Sequence, residues 1–248
     1  MHRIPRANCP NRADFDGLFG LRYSERSVIA PLQRHDAEPD NAHMTARLHR
    51  GDLPDLARYT TGAVAVDTET MGLNLGRDRL CVVQLSPGDG SADVVQILAH
   101  AEAAPNLRRL LADENLLKIF HFARFDLAVL HKALGVMAVP VYCTKIASRL
   151  ARTYTDRHGL KDLVREVLGH ELSKQQQLSD WGAAELTDAQ ISYAAADVVY
   201  LHALKERLDA MLAREGREEL AGACFRFLPD RVRLDLAGWG AEDIFAHS

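Results

Sequence analysis

Short apolar runs in the first half of the chain predict a β-sheet. The runs at residues 64–67, 80–85 and 94–97 are rich in β-branched residues and are separated by turns that contain Gly and Asp. Their close spacing predicts three neighbouring strands in a meander. Two more apolar runs, at 118–121 and 141–143, predict a fourth and a fifth strand.

Apolar positions at helical spacing predict helices between and after these strands. The predicted helices cover residues 106–111, 126–134, 144–150 and 160–168, and Gly169 ends the last of them.

A further, long helix is predicted to begin at Thr187. Thr187 and Gln190 have the spacing of a capping box, in which each side chain binds the backbone N–H of the other residue. We expect this helix to continue to about Arg214. Strands mixed with helices in this order predict an α/β domain with a mixed sheet.

The two ends of the chain differ from this pattern. Residues 1–43 combine Pro, Arg, Asp and Asn with little apolar periodicity, so we expect a poorly ordered extension there. The domain is expected to cover residues 44–248, with Met44 as a candidate for the natural start. Its C-terminal tail is too apolar to lie free in water, so we expect it to dock on its own domain or on another subunit. The apolar residues of the tail are Phe225, Phe227, Leu228, Leu234, Leu236, Trp239, Ile244 and Phe245.

Composition narrows the class of protein. The chain has 248 residues, of which 47% are hydrophobic and 26% are charged, as in ordinary globular domains. Because no apolar run is long enough for a bilayer and no secretory signal is evident, we expect no membrane partner. Four widely separated cysteines without zinc-ligand spacing favour free thiols in the cytoplasm. The net charge of −4 argues against a broad basic face for long nucleic acid.

Two carboxylates stand at the end of the first predicted strand. Asp67 and Glu69 are two residues apart, so their side chains point to the same side of the sheet. They repel each other there unless a cation lies between them. An Asp-x-Glu pattern alone is most often solvated surface, so the interpretation depends on further ligands elsewhere in the chain.

Two later segments supply such ligands. Asp126 follows the predicted strand at 118–121, where a lone Asp would most often cap a helix. Tyr193 and Asp197 are four residues apart on the long helix and share one face, with three alanines between them that allow close packing. If the four carboxylates converge, their oxygens suit Mg²⁺ or Mn²⁺. Two such ions are a standard apparatus for displacement at phosphorus.

The order of these motifs resembles a known family. Asp67-x-Glu69, then Asp126 after His121-x-x-x-Phe125, then Tyr193-x-x-x-Asp197 are similar to the three motifs of the DEDD 3′–5′ exonucleases, in the subclass with Tyr. The segments at 173–181 and 193–197 resemble ribonuclease D. A closer resemblance is to the nano-RNase C group of alphaproteobacteria, over about residues 44–248. It rests on the segments at 78–85, 143–148, 152–161 and 243–248.

The resemblance implies a ribonuclease H-like mixed sheet flanked by helices and a two-metal 3′–5′ exoribonuclease that releases 5′-mononucleotides. It further implies very short RNA, dinucleotides above all, as the substrate, and a homo-oligomer, an octameric ring. Asp67 would bridge both metal ions, Glu69 and Asp197 would complete the first site, and Asp126 would hold the second ion. Tyr193 would orient the attacking water.

Candidate substrate contacts lie beside these motifs. Met71, Gly72 and Leu73 follow the first motif and are candidates for the 3′-terminal base and sugar, although an ordinary turn is an equally good interpretation. His121 and Phe125 lie next to Asp126, and Phe125 fits the core as well as a stacking surface.

Charged residues further along the chain are candidates for phosphate contacts. The candidates are Arg157 and His158, within a segment that also contains Arg152, Tyr154 and Lys161, and Lys174 with Gln175, Gln176 and Gln177. Each of them also fits a solvated surface.

Two alternatives compete with this interpretation. A haloacid-dehalogenase-type phosphatase also carries carboxylates after its first strand, but Glu69 stands here at the second acidic position and no suitable acidic pair follows. Within the exonucleases, the sequence leaves open a general ribonuclease D-like enzyme that acts on longer RNA 3′ ends or on DNA.

Overall fold

A six-stranded sheet forms the centre of the domain. The computed structural model describes residues 44–60, 62–98, 104–173 and 175–247, so the predicted extension at 1–43 lies outside the described residues. The strands are β1 (Thr45–Arg50), β2 (Ala63–Thr70), β3 (Leu80–Ser86), β4 (Ser91–Gln96), β5 (Leu117–Phe120) and β6 (Val141–Cys143).

The spatial order of the strands is β1-β4-β3-β2-β5-β6. The predicted meander is confirmed, because β3 is antiparallel to both β2 and β4. β5 runs parallel to β2, and β6 runs parallel to β5. β1, which was not predicted, adds a parallel edge strand beside β4. Its sequence is polar at alternate positions and none of its residues is fully buried, so it lacks the apolar run that marks the other strands.

Seven helices flank this sheet among the described residues. They are α1 (Pro105–Ala112), α2 (Ala123–Leu134), α3 (Thr144–Ala151), α4 (Leu160–Leu163), α5 (Asp188–Val199), α6 (Leu201–Arg214) and α7 (Glu218–Leu234). A π-helical turn, Val164–Leu168, continues α4, and a second one, Asp235–Trp239, follows α7. The predicted α/β fold with a mixed sheet is confirmed. Across the described part of the chain, no helix combines the length and apolarity needed to cross a membrane.

The two faces of the sheet bury separate cores. Successive side chains of β2 alternate between them, with Val64 and Val66 on one face and Ala65 on the other. α1, α2 and α7 pack on the face of Val64. α3, α5 and α6 pack on the face of Ala65. This alternation decides which helix layer each polar side chain at the end of β2 meets.

The long helix predicted from Thr187 to Arg214 is divided at Tyr200. α5 packs along β2, β3 and β4, whereas α6 packs mainly on α3 and meets the sheet at β2 and β5. One straight helix cannot follow both directions, so the chain forms two helices with Tyr200 between them. The hydrophobic pattern shows no interruption there, because both helices are apolar on the side that faces the domain.

The C-terminal segment docks in part on its own domain. α7 packs against α2 and β6, with Leu228 and Val232 buried. Arg124 of α2 holds the end of α7 through two hydrogen bonds to Asp235, at 2.5 and 2.7 Å. Beyond this point the apolar side chains stay exposed, including Phe245 at 74%.

The predicted capping box at the start of α5 is confirmed and yields a stability prediction. Gln190 N–H donates to Thr187 Oγ1 at 3.3 Å, and Thr187 N–H donates to Gln190 Oε1 at 3.0 Å. We expect Thr187→Ala to lower the free energy of unfolding by about 1 kcal/mol, because it removes this cap. Ser192→Ala, an exposed change on the same helix, should stay within about 0.5 kcal/mol of wild type. Urea unfolding measures both, and equal values would contradict the prediction.

Candidate active site

The candidate site begins where β2 extends past its neighbour. β2 pairs with β5 only from Ala63 to Ala65, so the rest of β2 has no strand on that side. Asp67 and Glu69 follow Ala65 at intervals of two and therefore share its face. That face is the one covered by α5.

α5 brings a third carboxylate to this point. Ala194 and Ala195 are fully buried against the sheet, and their small side chains let the helix lie close to it. Asp197 then lies opposite the end of β2. Asp67, Glu69 and Asp197 each offer one oxygen such that all three lie within 4.8 Å of one another. The convergence predicted for these three residues is present.

Asp126 approaches from the other layer. It lies in the first turn of α2, a helix that packs on the opposite face of the sheet. Thr68 points to that face, and its hydroxyl donates a hydrogen bond to Asp126 Oδ1 at 2.6 Å. Since β5 has already ended, α2 begins beside the free edge of β2. Asp126 thus reaches the cluster from behind Thr68. Its carboxylate oxygens are not among the three oxygens that lie closest together.

Burial raises the pKa of each of these carboxyls, and the charges of neighbouring carboxylates raise it further for Asp67, Glu69 and Asp126. Burial, followed by the charges of Asp126, Asp197 and Glu69, raises the pKa of Asp67 well above its usual range. Burial and the charge of Asp197 raise the pKa of Glu69 to about 9. Burial likewise raises the pKa of Asp126 to about 7 and that of Asp197 to about 7.

Few protein donors relieve this repulsion. Besides Thr68, the Tyr193 hydroxyl donates to Asp197, and the Gln84 amide donates to Asp67 Oδ2 at 3.4 Å from a fully buried position on β3. Buried anions need a counter-charge to remain ionised together. The donor set, carboxylate oxygens alone, is the one that hard divalent cations prefer. The residues therefore fit a divalent cation site.

Tyr193 lies one helical turn before Asp197. Its ring packs near that of Trp181, with 6.0 Å between the ring centroids. Burial, followed by the charges of Asp197 and Glu69, raises the pKa of its hydroxyl well above the usual range. The phenol therefore keeps its proton at neutral pH, which makes it a hydrogen-bonding group and not a base.

Hydrogen bonds fix the tautomer of His121. The Thr144 hydroxyl donates to the carbonyl of Phe120 at 3.2 Å, so its oxygen is left to accept from His121 Nδ1–H at 2.9 Å. Burial, with the nearby charge of Lys145, lowers the pKa of His121 to about 3. The imidazole is therefore neutral, and its Nε2 is an acceptor.

A cleft of about 310 Å³ lies over the carboxylates. Its floor includes Asp67, Glu69 and Asp197, and His121 and Tyr193 form part of its sides. The facing wall comes from later segments: Gly159, Leu160, Lys161, Asp162, Leu172, Ser173 and Gln177. Of this wall, only the region of Lys161 and Gln177 was predicted as a candidate contact, because no motif marks the rest.

The residues predicted for the 3′-terminal base lie outside this cleft. Met71 is 60% exposed and Leu73 is 83% exposed, so neither is a buried turn residue. Gly72 packs closely on Asp78, because a Cβ at this position would lie 2.3 Å from its Oδ2. The segment forms an exposed apolar ledge after β2.

Four other candidates do not line the cleft or cannot be placed. Phe125 is half-buried and packs against the core on the α2 side, so it offers no open ring. Arg157 is paired with Glu166 at 3.5 Å, and His158 Nδ1 lies 2.8 Å from Ser148 Oγ. Lys174 lies outside the described residues.

A buried arginine, whose environment the sequence did not reveal, supports the facing wall. Arg152 is 2% exposed and pairs with Glu166 on the π-helical turn after α4. It also donates to the carbonyl of Arg157 at 3.0 Å. These bonds join the end of α3 to the segments on either side of Gly159–Asp162. The position of Lys161 in the cleft depends on them.

Comparison with known proteins places the chain in a family. A family model described as 3′–5′ exonuclease matches residues 53–213, so the chain belongs to that family. Ribonuclease D of Acidiphilium cryptum is 40% identical over 157 residues, which are 62% of this chain and 39% of that protein. DNA polymerase I of Aquifex aeolicus is 36% identical over 159 residues, 62% of this chain and 26% of that protein. The chain therefore spans less than half of these curated relatives.

Solved structures give a more particular likeness. NrnC of Brucella melitensis with bound Mg²⁺ is 60% identical, with a TM-score of 0.80, over 83% of this chain and 100% of that chain. The same protein bound to pGG is 61% identical over the same shares, with a TM-score of 0.80. RNase D of Escherichia coli is 27% identical, with a TM-score of 0.63, over 71% of this chain and 46% of that one. The resemblance to ribonuclease D and to the nano-RNase C group is confirmed.

The raised pKa values predict how stability varies with pH without metal. A carboxyl whose pKa is higher in the folded than in the unfolded state binds more protons when folded, so stability falls as the pH rises between the two values. In a chelator, between about pH 6.5 and pH 8, we expect Asp67→Asn to make this decline shallower by up to about 1.4 kcal/mol per pH unit, the slope of one carboxyl that stays protonated in the folded state. The change removes one such carboxyl and lowers the repulsion on the others.

Urea unfolding at several pH values in EDTA measures these slopes. Lys118, whose pKa burial lowers to about 8, titrates in part of this range with the opposite sign, but it does so in wild type and variant alike. Asp230→Asn, on the exposed side of α7, is the control and should keep the wild-type slope. Identical slopes for wild type and Asp67→Asn would contradict the conclusion that burial and repulsion raise the pKa of the Asp67 carboxyl.

Proposed function

We propose that this chain is a divalent-metal-dependent 3′–5′ exoribonuclease that releases 5′-mononucleotides from very short RNA, dinucleotides above all. One observation carries the proposal: three carboxylates from β2 and α5 converge within 4.8 Å beneath a cleft, with Asp126 joining them from α2. Membership of the 3′–5′ exonuclease family supports the reaction.

Two cations are proposed for the site. Asp67, Glu69 and Asp197 would hold one ion, and Asp67 with Asp126 would hold the second. Asp126 already gives one oxygen to Thr68, so it would reach its ion in part through water. Mg²⁺ is bound by NrnC of Brucella melitensis, and Mn²⁺ has the same preference for oxygen ligands. Such ions activate the nucleophile and stabilise the leaving 3′-oxygen.

The side chains around the ions would orient the reactants. Tyr193 remains a phenol, so its hydroxyl would hold the attacking water in line with the phosphorus without removing its proton. Lys161 in the facing wall would approach the phosphate from the other side of the cleft. His121 Nε2, as an acceptor, would suit a hydroxyl group and not a phosphate oxygen.

Short substrates are favoured by two observations. The cleft, about 310 Å³, is at the small end of ligand sites, which range from about 300 to 1,000 Å³. NrnC of Brucella melitensis has been solved with pGG. We propose that Met71, Gly72 and Leu73 contact the 3′-terminal nucleotide, because this apolar ledge directly follows the first motif. Arg157, His158 and Lys174 remain proposed phosphate contacts, which for the first two requires movement or a neighbouring subunit.

We also propose a homo-oligomer. Phe227 and Phe245 are 40% and 74% exposed although their ring centroids lie 6.1 Å apart, and Trp239 is 45% exposed in the same C-terminal segment, which is unusual for large apolar side chains. A second copy of the chain would cover them. The resemblance to the nano-RNase C group suggests an octamer, and the cytoplasm suits its free thiols.

A general exonuclease is the second candidate function. It is favoured by relatives named ribonuclease D and DNA polymerase I, which match over the same domain. Such an enzyme would act on longer RNA 3′ ends or on DNA. Its active site would be the same, so only the substrate distinguishes the two functions.

Loss of one metal ligand tests the proposed chemistry. We expect Asp67→Asn to lower kcat on a diribonucleotide by more than about 100-fold, because even outer-shell changes at metal sites cost 10- to 100-fold. Its circular dichroism and native mass should match wild type. Asp230→Asn should keep full activity. Full activity of Asp67→Asn in Mn²⁺ would overturn the proposal that Asp67 is a metal ligand.

A length series tests the proposed substrate. Single-turnover rates are measured on 5′-labelled RNA of two to ten nucleotides, with a DNA series of the same lengths beside it. We expect a sharp maximum at two nucleotides, because a small cleft can hold both ends of such a substrate. A flat profile would favour the general exonuclease, and faster cleavage of DNA would reject the preference for RNA.

A further inference from the structure

Phe122, at the turn between β5 and α2, has a backbone conformation that is unusual for its residue type. Phe122 has a φ of 65° and is the only non-glycine residue with a positive φ in the described part of the chain. Glycine or asparagine is expected in this left-handed conformation, because a bulky side chain crowds the backbone there. Phe122 also stands at the N-cap of α2 without forming a side-chain cap. Local structure therefore gives no reason for an aromatic residue here.

A contact with a cation restrains the ring of Phe122, although the residue is not buried. Its residue is 46% exposed, and Lys145 Nζ lies 4.3 Å from the ring centroid. Lys145 forms no ion pair with any carboxylate of the described residues, so the ring face is the partner the structure gives it. A cation over one face supports an aromatic ring and leaves the other face open.

The position of the pair relates it to the cleft. Phe122 directly follows His121, and Lys145 directly follows Thr144, the two residues that are joined by a hydrogen bond. His121 lines the cleft over the carboxylates. The Met71–Leu73 ledge follows β2, whereas Phe122 follows its neighbour β5. With a substrate phosphate at Asp67, the ledge would therefore lie after the end of β2 and the Phe122 ring after the end of β5.

We propose that Phe122, supported by Lys145, is a stacking platform for the nucleobase on the 5′ side of the scissile phosphate. Phe122 does not line the cleft itself but directly follows His121, which does, and an exposed aromatic ring in this position suits any base because every base has a π face. The strained backbone is retained because it directs the ring outward from the turn. The inference rests on the proposed exonuclease function, and it names a contact that this function leaves unassigned.

Phe122→Gly separates this role from a structural one. Glycine tolerates the backbone conformation, so the variant should unfold at an equal or higher urea concentration than wild type. We expect its KM for pGG to rise about 10- to 100-fold with kcat little changed, as for loss of one stacked base. Phe122→Asn, which also tolerates this conformation, should behave alike, and Phe122→Tyr should restore the wild-type KM.

Modified substrates identify the base. On a diribonucleotide whose 5′ nucleotide lacks its base, wild type and Phe122→Gly should have equal KM values. On the one that lacks the 3′ base, the difference should persist. Lys145→Met should raise the KM for pGG about 2- to 5-fold. When it is added to Phe122→Gly, the KM should equal that of Phe122→Gly alone, because the ring that Lys145 supports is then absent. Arg149→Met, one turn along α3, is its control.

The outcomes separate this inference from the proposed function. If wild type does not cleave RNA, the proposed function fails. If wild type cleaves pGG and Phe122→Gly has the same KM, only the platform is overturned. The same holds if Phe122→Gly loses stability or native mass, because the ring would then be a structural or subunit contact.

Discussion

Repulsion among buried carboxylates is the constraint around which this domain is arranged. Asp67, Glu69 and Asp197 lie within 4.8 Å of one another, and burial raises the pKa of each. No fold would gain stability from this cluster alone, because each charge is desolvated beside others of the same sign. The rest of the structure supplies the packing that holds the carboxylates in place until cations can bind.

That packing comes from both faces of the sheet. β2 continues past β5, which leaves a free edge where α2 can begin and bring Asp126 beside Thr68. On the other face, the buried alanines of α5 allow the helix to lie close enough for Asp197 to reach the same point. Apolar burial on both sides thus offsets the cost of the charges. Cation binding to the folded state would add to the stability by mass action.

The elements that sequence patterns predicted are those with local signals. The meander of β2, β3 and β4 follows from apolar runs, and the start of α5 follows from Thr187 and Gln190. β1 escaped prediction because its partner β4 lies far along the chain and its own residues are half polar. The division at Tyr200 depends on the different directions in which α5 and α6 pack, and the hydrophobic pattern does not show these directions.

The same distinction applies to the site. The convergence of the carboxylates and Tyr193 was predicted through the family resemblance that the short motifs carry, and those motifs are visible because each is local in the sequence. The Thr68–Asp126 bond and the buried Arg152 depend on which helix covers which face, so no spacing in the sequence reveals them. Phe125 was chosen as a stacking candidate, whereas the open ring belongs to Phe122, whose backbone conformation is visible only in the structure.

The two walls of the cleft differ in how they are built, and this bears on specificity. The carboxylates stand on β2, α2 and α5, whose positions are fixed by the two cores. The facing wall, from Gly159 to Gln177, is made of short segments held by polar bonds of Arg152 and Glu166. Changes in this wall would alter what enters the cleft without moving a carboxylate, since loops tolerate substitution that a packed core does not. Relatives with the same carboxylate motifs can therefore differ in what enters the cleft, and we propose that residues of this wall, together with Phe122, contribute to that choice.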